Sequence, residues 1–441
     1  MSKPIVAVVG RPNVGKSTFF NYLAGSRLSI VDDTPGVTRD RLYAETEWRG
    51  RAFVIIDTGG IEPDSEDVIL REMRIQAGIA IDTADVIVFV VDIQTGMTAT
   101  DGDIADMLRK SGKPVVLAVN KADRVGSMPA EAYEFYNLGL GDPYPISSVH
   151  RLGMGELLDQ VYNLFPAEDD ADEEDPDIRV AIIGKPNAGK SSLANNMLGE
   201  NRTIVSDIPG TTRDAIDSRL RNRHGHYVII DTAGLRRKSR IEDEIEKYSM
   251  IRTLAAIERA DVCLILIDGQ DGPTEQDTKV AGLAHNAGKA CILVVNKWDL
   301  VEKETGTLEK YRRDVAERFS FMSYAPVEFV SARTGQRVDK LFERINHVYA
   351  QAGIRLTTGM LNDLLTEAVA MVPTPQDKGK HLKIYYVTQV SVRPPQFVLF
   401  VNDQNLMHFS YERYLENQFR KSFGFEGTPI RFHMRERERN A

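Results

Sequence analysis

Gly10-Arg11-Pro12-Asn13-Val14-Gly15-Lys16-Ser17 decides the reading of this chain, and it recurs as Gly184-Lys185-Pro186-Asn187-Ala188-Gly189-Lys190-Ser191. Both copies fit the phosphate-loop pattern G-x-x-x-x-G-K-[ST]. The two glycines let the backbone curl until its N–H groups converge on phosphate oxygens. Lys16 or Lys190 then reaches the β- and γ-phosphates, and Ser17 or Ser191 offers a hydroxyl to Mg²⁺. Thr18 and Ser192, next in line, are counted with the loop. An apolar run precedes each copy (residues 5–9 and 180–183) and a helical pattern follows, which is the strand–loop–helix context the motif needs. Two matches in one chain make chance a poor explanation.

Working outward, the whole scheme repeats. Lys16 maps to Lys190, Thr38 to Thr212 and Asp57 to Asp231 at one constant offset, and Asn120 maps to Asn296 two residues further on. An internal duplication is the simplest account. In the first copy, strand patterns at residues 53–58, 86–92, 115–120 and about 144–147 alternate with helical ones such as 99–111 and 155–165. That alternation predicts an α/β fold with a mostly parallel sheet and helices on both faces, its ligand beyond the carboxyl ends of the strands. Residues 168–177 are almost continuously acidic and predict an extended linker. After Gly353 the pattern becomes α-β-β-α-β: a helix with Leu361, Leu364, Leu365, Ala368 and Val369, strands at 383–390 and 396–401, a helix at about 411–423 and a strand at 429–435. The expected domains are 1–166, 178–353 and 354–441, with 167–177 as linker.

The net charge of −9 is unevenly spread. Residues 1–166 carry 16 Lys+Arg against 23 Asp+Glu, and 167–177 none against 8, whereas 178–353 carry 27 against 24 and 354–441 carry 12 against 9. The acidity therefore does not exclude a nucleic-acid partner for the rest of the chain. The two cysteines, Cys263 and Cys291, sit in apolar runs and read as buried thiols of a reducing compartment. The longest apolar runs end at an aspartate far short of the ~18 residues of a membrane span, and no charged-then-apolar leader is seen, so a cytoplasmic protein without membrane attachment is expected.

Two further constellations carry chemistry. Asp57-Thr58-Gly59-Gly60 and Asp231-Thr232-Ala233-Gly234 end apolar strands. In phosphate-loop hydrolases this aspartate holds Mg²⁺, and the last glycine presents its N–H to the γ-phosphate. Asn120-Lys121-Ala122-Asp123 and Asn296-Lys297-Trp298-Asp299 decide the base. A carboxylate at the fourth position accepts from N1–H and the exocyclic amine of guanine, whereas adenine has no donor at N1. GTP is the expected nucleotide.

At this point the residues resemble the translation-factor-related GTPases, and closely the EngA (Der) tandem GTPases, which assist assembly of the large ribosomal subunit. The resemblance covers essentially the whole chain and implies a small KH-like domain at its end. It implies that residues 35–40 and 209–214 are first switch loops, with Thr38 and Thr212 sensing Mg²⁺. It also implies that Ser147-Ser148 and Ser331-Ala332 support the guanine. The first domain departs from the family pattern with Ser-Ser for Ser-Ala, and with Arg151 where the second has Gly335, so unequal guanine affinity is expected. Where many GTPases carry a water-orienting glutamine, this chain has Ile61 and Leu235. Both are counted with the nucleotide pocket. The resemblance suggests that a potassium ion, held with help from Asn13 and Asn187, stands near the place of an arginine finger; the plainer reading is that these asparagines shape the loop.

Lys16, Thr38, Asp57 and Gly60, with Lys190, Thr212, Asp231 and Gly234, are thus the candidate catalytic residues, and Ser17, Thr38, Asp57, Ser191, Thr212 and Asp231 the candidate Mg²⁺ ligands. The basic run at 236–240 beside the second γ-phosphate sensor, and Arg413, Arg420, Lys421, Arg431, Arg435, Arg437 and Arg439 near the end, are candidate RNA contacts. Gly424-Phe425-Glu426-Gly427 is the only G-x-x-G in that region, but it joins a helix to a strand and carries an acid, the wrong context for an RNA clamp. The expectation is a monomeric GTPase whose two nucleotide states control binding to ribosomal RNA of the large subunit. A GTP-dependent scaffold or signalling module is the alternative, and an RNA-modifying GTPase lacks an evident catalytic group in residues 354–441.

Overall fold

A computed structural model describes residues 3–25, 43–58, 66–123, 129–166, 177–199, 217–231, 246–377 and 379–436. The chain divides into two compact units: the first holds the described residues up to 166 together with 246–258, and the second holds the remainder.

The first unit is a sheet in the order β2-β3-β1-β4-β5-β6, from β1 (Ile5–Val9), β2 (Tyr43–Trp48), β3 (Arg51–Asp57), β4 (Val86–Asp92), β5 (Val115–Asn120) and β6 (Pro143–Pro145). Only β2 runs antiparallel to its neighbour. β1 and β4 are unbroken apolar runs because both faces are covered, and every residue in them is buried. Side chains still alternate. Val6, Val8, Val88 and Val90 meet α1 (Lys16–Gly25) and α4 (Met154–Asn163) through Phe19, Phe20, Leu157 and Leu158. Ala7, Val9, Ile87 and Phe89 meet α2 (Glu66–Thr83), α3 (Ala99–Ser111) and a 3-10 turn, Ala130–Leu138, through Met73, Ala77, Ile104, Leu108 and Phe135. α3 starts at a capping box, Thr98 with Asp101, and stops at left-handed Gly112. The chain leaves β1 toward β3 on one side and toward β4 on the other, which opens a crevice at the end of β1, where the phosphate loop sits.

The second unit repeats this order as β12-β11-β10-β7-β9-β8, from β7 (Ile178–Gly184), β8 (Ser218–Asn222), β9 (Gly225–Ile229), β10 (Val262–Asp268), β11 (Ala290–Asn296) and β12 (Val327–Phe329). Its helices are α5 (Lys190–Gly199), α7 (Glu275–Asn286), α8 (Thr307–Arg318) and α9 (Val338–Ala352). α6 (Glu246–Arg259) instead buries Ile251 and Ala255 in the core of the first unit. Cys263 and Cys291 face each other across β10 and β11, fully buried and not joined in a disulfide, as expected of core thiols. No helix among the described residues is long and apolar enough to cross a membrane.

The C-terminal part is α10 (Thr358–Met371), a hairpin of β13 (Gln376–Asp377) and β14 (Lys380–His381), then β15 (Ile384–Ser391), β16 (Gln396–Val401), α11 (Phe409–Phe423) and β17 (Arg431–Glu436). β15 pairs antiparallel and β17 parallel with the central β16. One face of this sheet, with Val387, Phe397 and Leu399, packs on Leu361, Leu364, Leu415 and Phe419 of α10 and α11.

A dense seam joins this part to the second phosphate-loop domain. Cys291 N–H donates to the Gly427 carbonyl (2.7 Å), and Gly427 N–H donates to the Tyr324 carbonyl (2.8 Å). Gly427 sits at φ +79, and a Cβ there would lie 2.5 Å from Val348. Phe425 N–H donates to Gln351 Oε1 (2.7 Å). Arg420 stands over the Tyr324 ring at 4.8 Å and donates to the Phe425 and Thr428 carbonyls. Arg431 donates to the Asn286 carbonyl. Two cations expected to be available to RNA, Arg420 and Arg431, are therefore engaged in packing. The Gly424-Phe425-Glu426-Gly427 loop, doubted as a clamp from its sequence, is occupied by the same seam.

Candidate functional site

In the first unit the loop after β1 wraps the start of α1. Lys16 is buried and donates from Nζ to the carbonyls of Gly10 and Arg11, both at 2.7 Å. Burial lowers its pKa to about 8, against the opposing pull of Asp57. Lys190 repeats the geometry toward Gly184 (2.7 Å) and Lys185 (2.6 Å). Ser17 Oγ donates to Asp57 Oδ2 at 3.2 Å. Asp57 ends β3 in register with Val8 and is buried, so this serine and carboxylate form a hard oxygen pair that suits Mg²⁺. The second copy differs here: Asp231 stands two residues beyond β9 at φ +56, its N–H donating to Asp217 Oδ1 (2.9 Å).

Asn120 ties the loop after β5 to the phosphate loop. Its Nδ2 donates to the Val14 carbonyl (2.7 Å), and its Oδ1 accepts from Ser148 N–H (3.0 Å) and Ser148 Oγ (3.1 Å). Asn296 does the same with the Ala188 carbonyl (2.8 Å) and Ala332 N–H (2.9 Å). This bridge explains the second glycine of each loop: a Cβ on Gly15 or Gly189 would lie 2.2 Å from the asparagine Nδ2. Lys121 and Lys297 take left-handed φ and reach back to Asp92 (2.6 Å) and Asp268 (2.5 Å). Burial alone would raise the Asp268 carboxyl, but hydrogen bonds from Lys297 and the Gln270 amide hold it below its ordinary value.

The carboxylates of Asp123 and Asp299 are set differently. Ser147 Oγ donates to Asp123 Oδ1 at 2.7 Å. Asp299 Oδ1 is buried without a hydrogen-bond partner, an acceptor that a guanine N–H would satisfy. Arg151 and Gly335 both take left-handed φ (60° and 77°) in equivalent turns, closed by the bridges Ser147–Leu152 and Ser331–Gln336, so the arginine is accommodated without changing the turn. Asn13 and Asn187 are exposed at φ 64° and 61°, a conformation asparagine tolerates well.

A cavity of about 420 Å³ joins these groups in the first unit. It is lined by Pro12, Asn13, Gly15, Lys16, Ser17 and Thr18, by Asn120, Lys121 and Asp123, and by Ser147 and Ser148. It is also lined by Gln94, Val149 and His150, which sequence reasoning missed. The missed Asp92 and Asp268 had one visible signal: each is the aspartate that ends an apolar strand. Arg11 is a further clamp, its Nε donating to Asp101 Oδ1 of the α3 capping box at 2.8 Å. Its counterpart Lys185 pairs with Asp271 (2.9 Å) and leaves Asp277 Oδ1 buried without a partner. Thr58 donates from Oγ1 to the Val8 carbonyl (2.6 Å), Ala122 and Trp298 are buried, and Pro186 and Ser192 lie in the second loop and the first turn of α5. Thr38, Gly59, Gly60, Ile61, Thr212, Thr232, Ala233, Gly234 and Leu235 lie outside the described residues. So do the basic run 236–240, the linker residues 167–176, and Arg437 and Arg439.

Comparison with known proteins agrees with the geometry. A family described as 50S ribosome-binding GTPase matches residues 5–121 and again 179–297. A second, described as the C-terminal KH-domain-like of EngA bacterial GTPase enzymes, matches 355–435. GTPase Der of Acetivibrio thermocellus is 66% identical over 439 residues, covering 100% of both chains. GTPase Der of Clostridium perfringens is 58% identical over 438 residues, covering 99% of this chain and 100% of its own. Among solved structures, the FeoB G domain of Methanococcus jannaschii is 25% identical, covering 37% of this chain and 98% of its own, with a TM-score of 0.28.

Proposed function

The chain belongs to the EngA (Der) family of GTPases, and from that premise we propose that it is a nucleotide-controlled assembly factor for the large ribosomal subunit. It binds GTP and GDP and hydrolyses GTP to GDP and phosphate. The observation that carries the assembly reading is the pair of matched phosphate-loop domains of the ribosome-binding GTPase family, followed by a KH-like domain. In this reading residues 1–166 and 178–353 are the two GTPase domains, 167–177 the linker and 354–441 the KH-like domain, acting in the cytoplasm as a monomer.

At each site the loop amides cradle the phosphates and Lys16 or Lys190 exchanges its carbonyl partners for phosphate oxygens. Water then attacks the γ-phosphorus in line with the β–γ bond, and the lysine spreads the charge that develops on the leaving oxygens. Asp123 and Asp299 read guanine, with Ser147-Ser148 and Ser331-Ala332 supporting the base. Asn120 and Asn296 keep base and phosphates in one register. The residues at site one fit Mg²⁺, which Ser17 and Asp57 would hold with Thr38; Ser191, Thr212 and Asp231 are the counterparts at site two. When bound, the ion neutralises charge between the β- and γ-phosphates. Gly60 and Gly234 present amides to the γ-phosphate. Ile61 and Leu235 have no polar atom to orient water; Asn13 and Asn187 would help to hold a potassium ion, which would supply positive charge there. Hydrolysis should therefore be faster in potassium than in sodium buffer.

The test is co-sedimentation with large ribosomal subunits, with the protein loaded with GDP or with a non-hydrolysable GTP analogue. Binding in one state and release in the other is expected. Indifference to the subunit in both states refutes the assembly role and leaves a GTPase without an RNA function.

A further inference from the structure

The face of the C-terminal sheet that α10 and α11 leave uncovered has an arrangement the nucleotide sites do not explain. Register places Tyr386 opposite Phe400, and Phe400 opposite Arg435, in one row across β15, β16 and β17. The two rings are stacked, with centroids 4.2 Å apart and planes 14° from parallel. Burial of the apolar ring pair is incomplete, since Tyr386 remains 38% exposed. A bulge between Ile384 and Tyr386 puts Tyr385 beside them, 37% exposed, with Lys383 Nζ 5.3 Å from its ring centre. The next row is Thr388, Val398 and His433.

Among the described residues of the three strands, the charge on this face has one sign. The only carboxylate in the three strands is Glu436, which is in register with Val401 on the helix-packed face and accepts a hydrogen bond from the Gln404 amide (3.2 Å). Among the described residues neither Arg435 nor Lys383 forms an ion pair. Flat exposed rings between unpaired cations fit a single strand of nucleic acid, whose bases stack and whose phosphates need positive charge.

We propose that this sheet face, centred on Tyr386 and Phe400, is a stacking platform for unpaired RNA bases, with Arg435 and Lys383 meeting the flanking phosphates. It rests on the ribosomal reading above and gives that reading a contact surface. It also differs from the G-x-x-G clamp of KH domains, because the only such loop here is held in the seam.

The experiment uses the full chain and a fluorescent single-stranded oligoadenylate about 12 nucleotides long, with an RNA duplex as control, read by anisotropy. Tyr386→Ala should weaken oligonucleotide binding about tenfold or more, whereas Tyr386→Phe, which keeps the ring, should retain it. Arg435→Gln with Lys383→Gln should reduce the salt dependence by about one phosphate contact or more. Unchanged GTP hydrolysis by each variant shows that the fold is intact. Large-subunit co-sedimentation is run alongside. If Tyr386→Ala binds both oligonucleotide and subunit as the parent does, the platform is refuted and the assembly reading stands. If Tyr386→Ala loses the subunit but holds the oligonucleotide, the face meets a protein and the RNA occupant is refuted. If the parent protein ignores both RNA and subunit, both readings fail together.

Discussion

His285 should make the second unit acid-sensitive by about 2 kcal/mol between pH 7.5 and pH 5. The imidazole lies on α7 at the seam, its Nδ1 2.8 Å from Tyr324 Oη and its ring at right angles to Phe321. Burial, and then the nearby Arg431 and Arg420, lower its pKa from 6.5 to about 4. Glu416 on α11 is paired with Arg420 at 2.7 Å. Because the folded pKa is depressed, the unfolded chain binds more protons between pH 6.5 and 4, so stability is full above 6.5 and falls as acid is added. One pKa unit is about 1.4 kcal/mol, which gives about 2 kcal/mol lost at pH 5 and about 3 kcal/mol below pH 4. The assay is urea unfolding followed by Trp298, in a Trp48→Phe background so that the second unit reports alone. His285→Phe keeps the ring and removes the titration. It should cost about 1–3 kcal/mol at pH 7.5 by leaving the buried Tyr324 hydroxyl without its partner, but should flatten the pH dependence by about 2 kcal/mol. Equal pH dependence in the two proteins, or an imidazole resonance titrating near its ordinary value, refutes the reasoning.

Three other changes follow from the sites. Lys185→Arg should supply the guanidinium that Asp277 Oδ1 lacks, as Arg11 does for Asp101, and should stabilise the second unit by about 1 kcal/mol in the same urea assay. Asn120→Ala removes the bridge between the two halves of site one and leaves the Val14 carbonyl and the Ser148 amide unmatched. It should cost about 2 kcal/mol or more of stability and weaken nucleotide at that site, while titration at site two, isolated by Lys16→Ala, stays as before. Asp299→Asn replaces one acceptor oxygen by a donor. On the Lys16→Ala background it should lower GTP affinity at least about a hundredfold, measured with a fluorescent guanine nucleotide, and retention of tight binding would overturn the assignment of the base reader.

The parts of this molecule that were legible in the sequence are those where chemistry restricts residue type. A loop that passes this close to Asn120 or Asn296 admits only glycine at Gly15 and Gly189, and doubly buried strands such as Val86–Asp92 admit almost nothing polar. The boundaries of α3 were read correctly because Thr98, Asp101 and Gly112 are strong caps. The edge strand Tyr43–Trp48 was not legible: it is half polar and only one of its residues is buried, and it declares itself only through its partner β3. The cavity wall at Gln94, Val149 and His150 follows from loop geometry that no local pattern encodes. Arg420 and Arg431 misled for a physical reason, since a guanidinium that closes a seam and one that meets a phosphate look alike in a sequence. The Tyr386–Phe400 row was hidden by the bulge at Tyr385, which shifts the period of two by one residue.

The amide of Cys291, the second residue of β11, is closed by a carbonyl from Gly427, a residue translated long after it. Chain synthesis therefore releases the second nucleotide-binding fold in an unfinished form, with a strand end and the Tyr324 carbonyl waiting for the final helix and strand to arrive. A ribosome that stalls in the last stretch would yield a product in which the Cys291 amide and the Tyr324 carbonyl lack these partners, suited to capture by chaperones or proteases. Cloning residues 178–353 alone should yield a poorly behaved fragment for the same reason: the change of pattern after Gly353 marks where one architecture follows another, and it is not a place where the polypeptide can be cut.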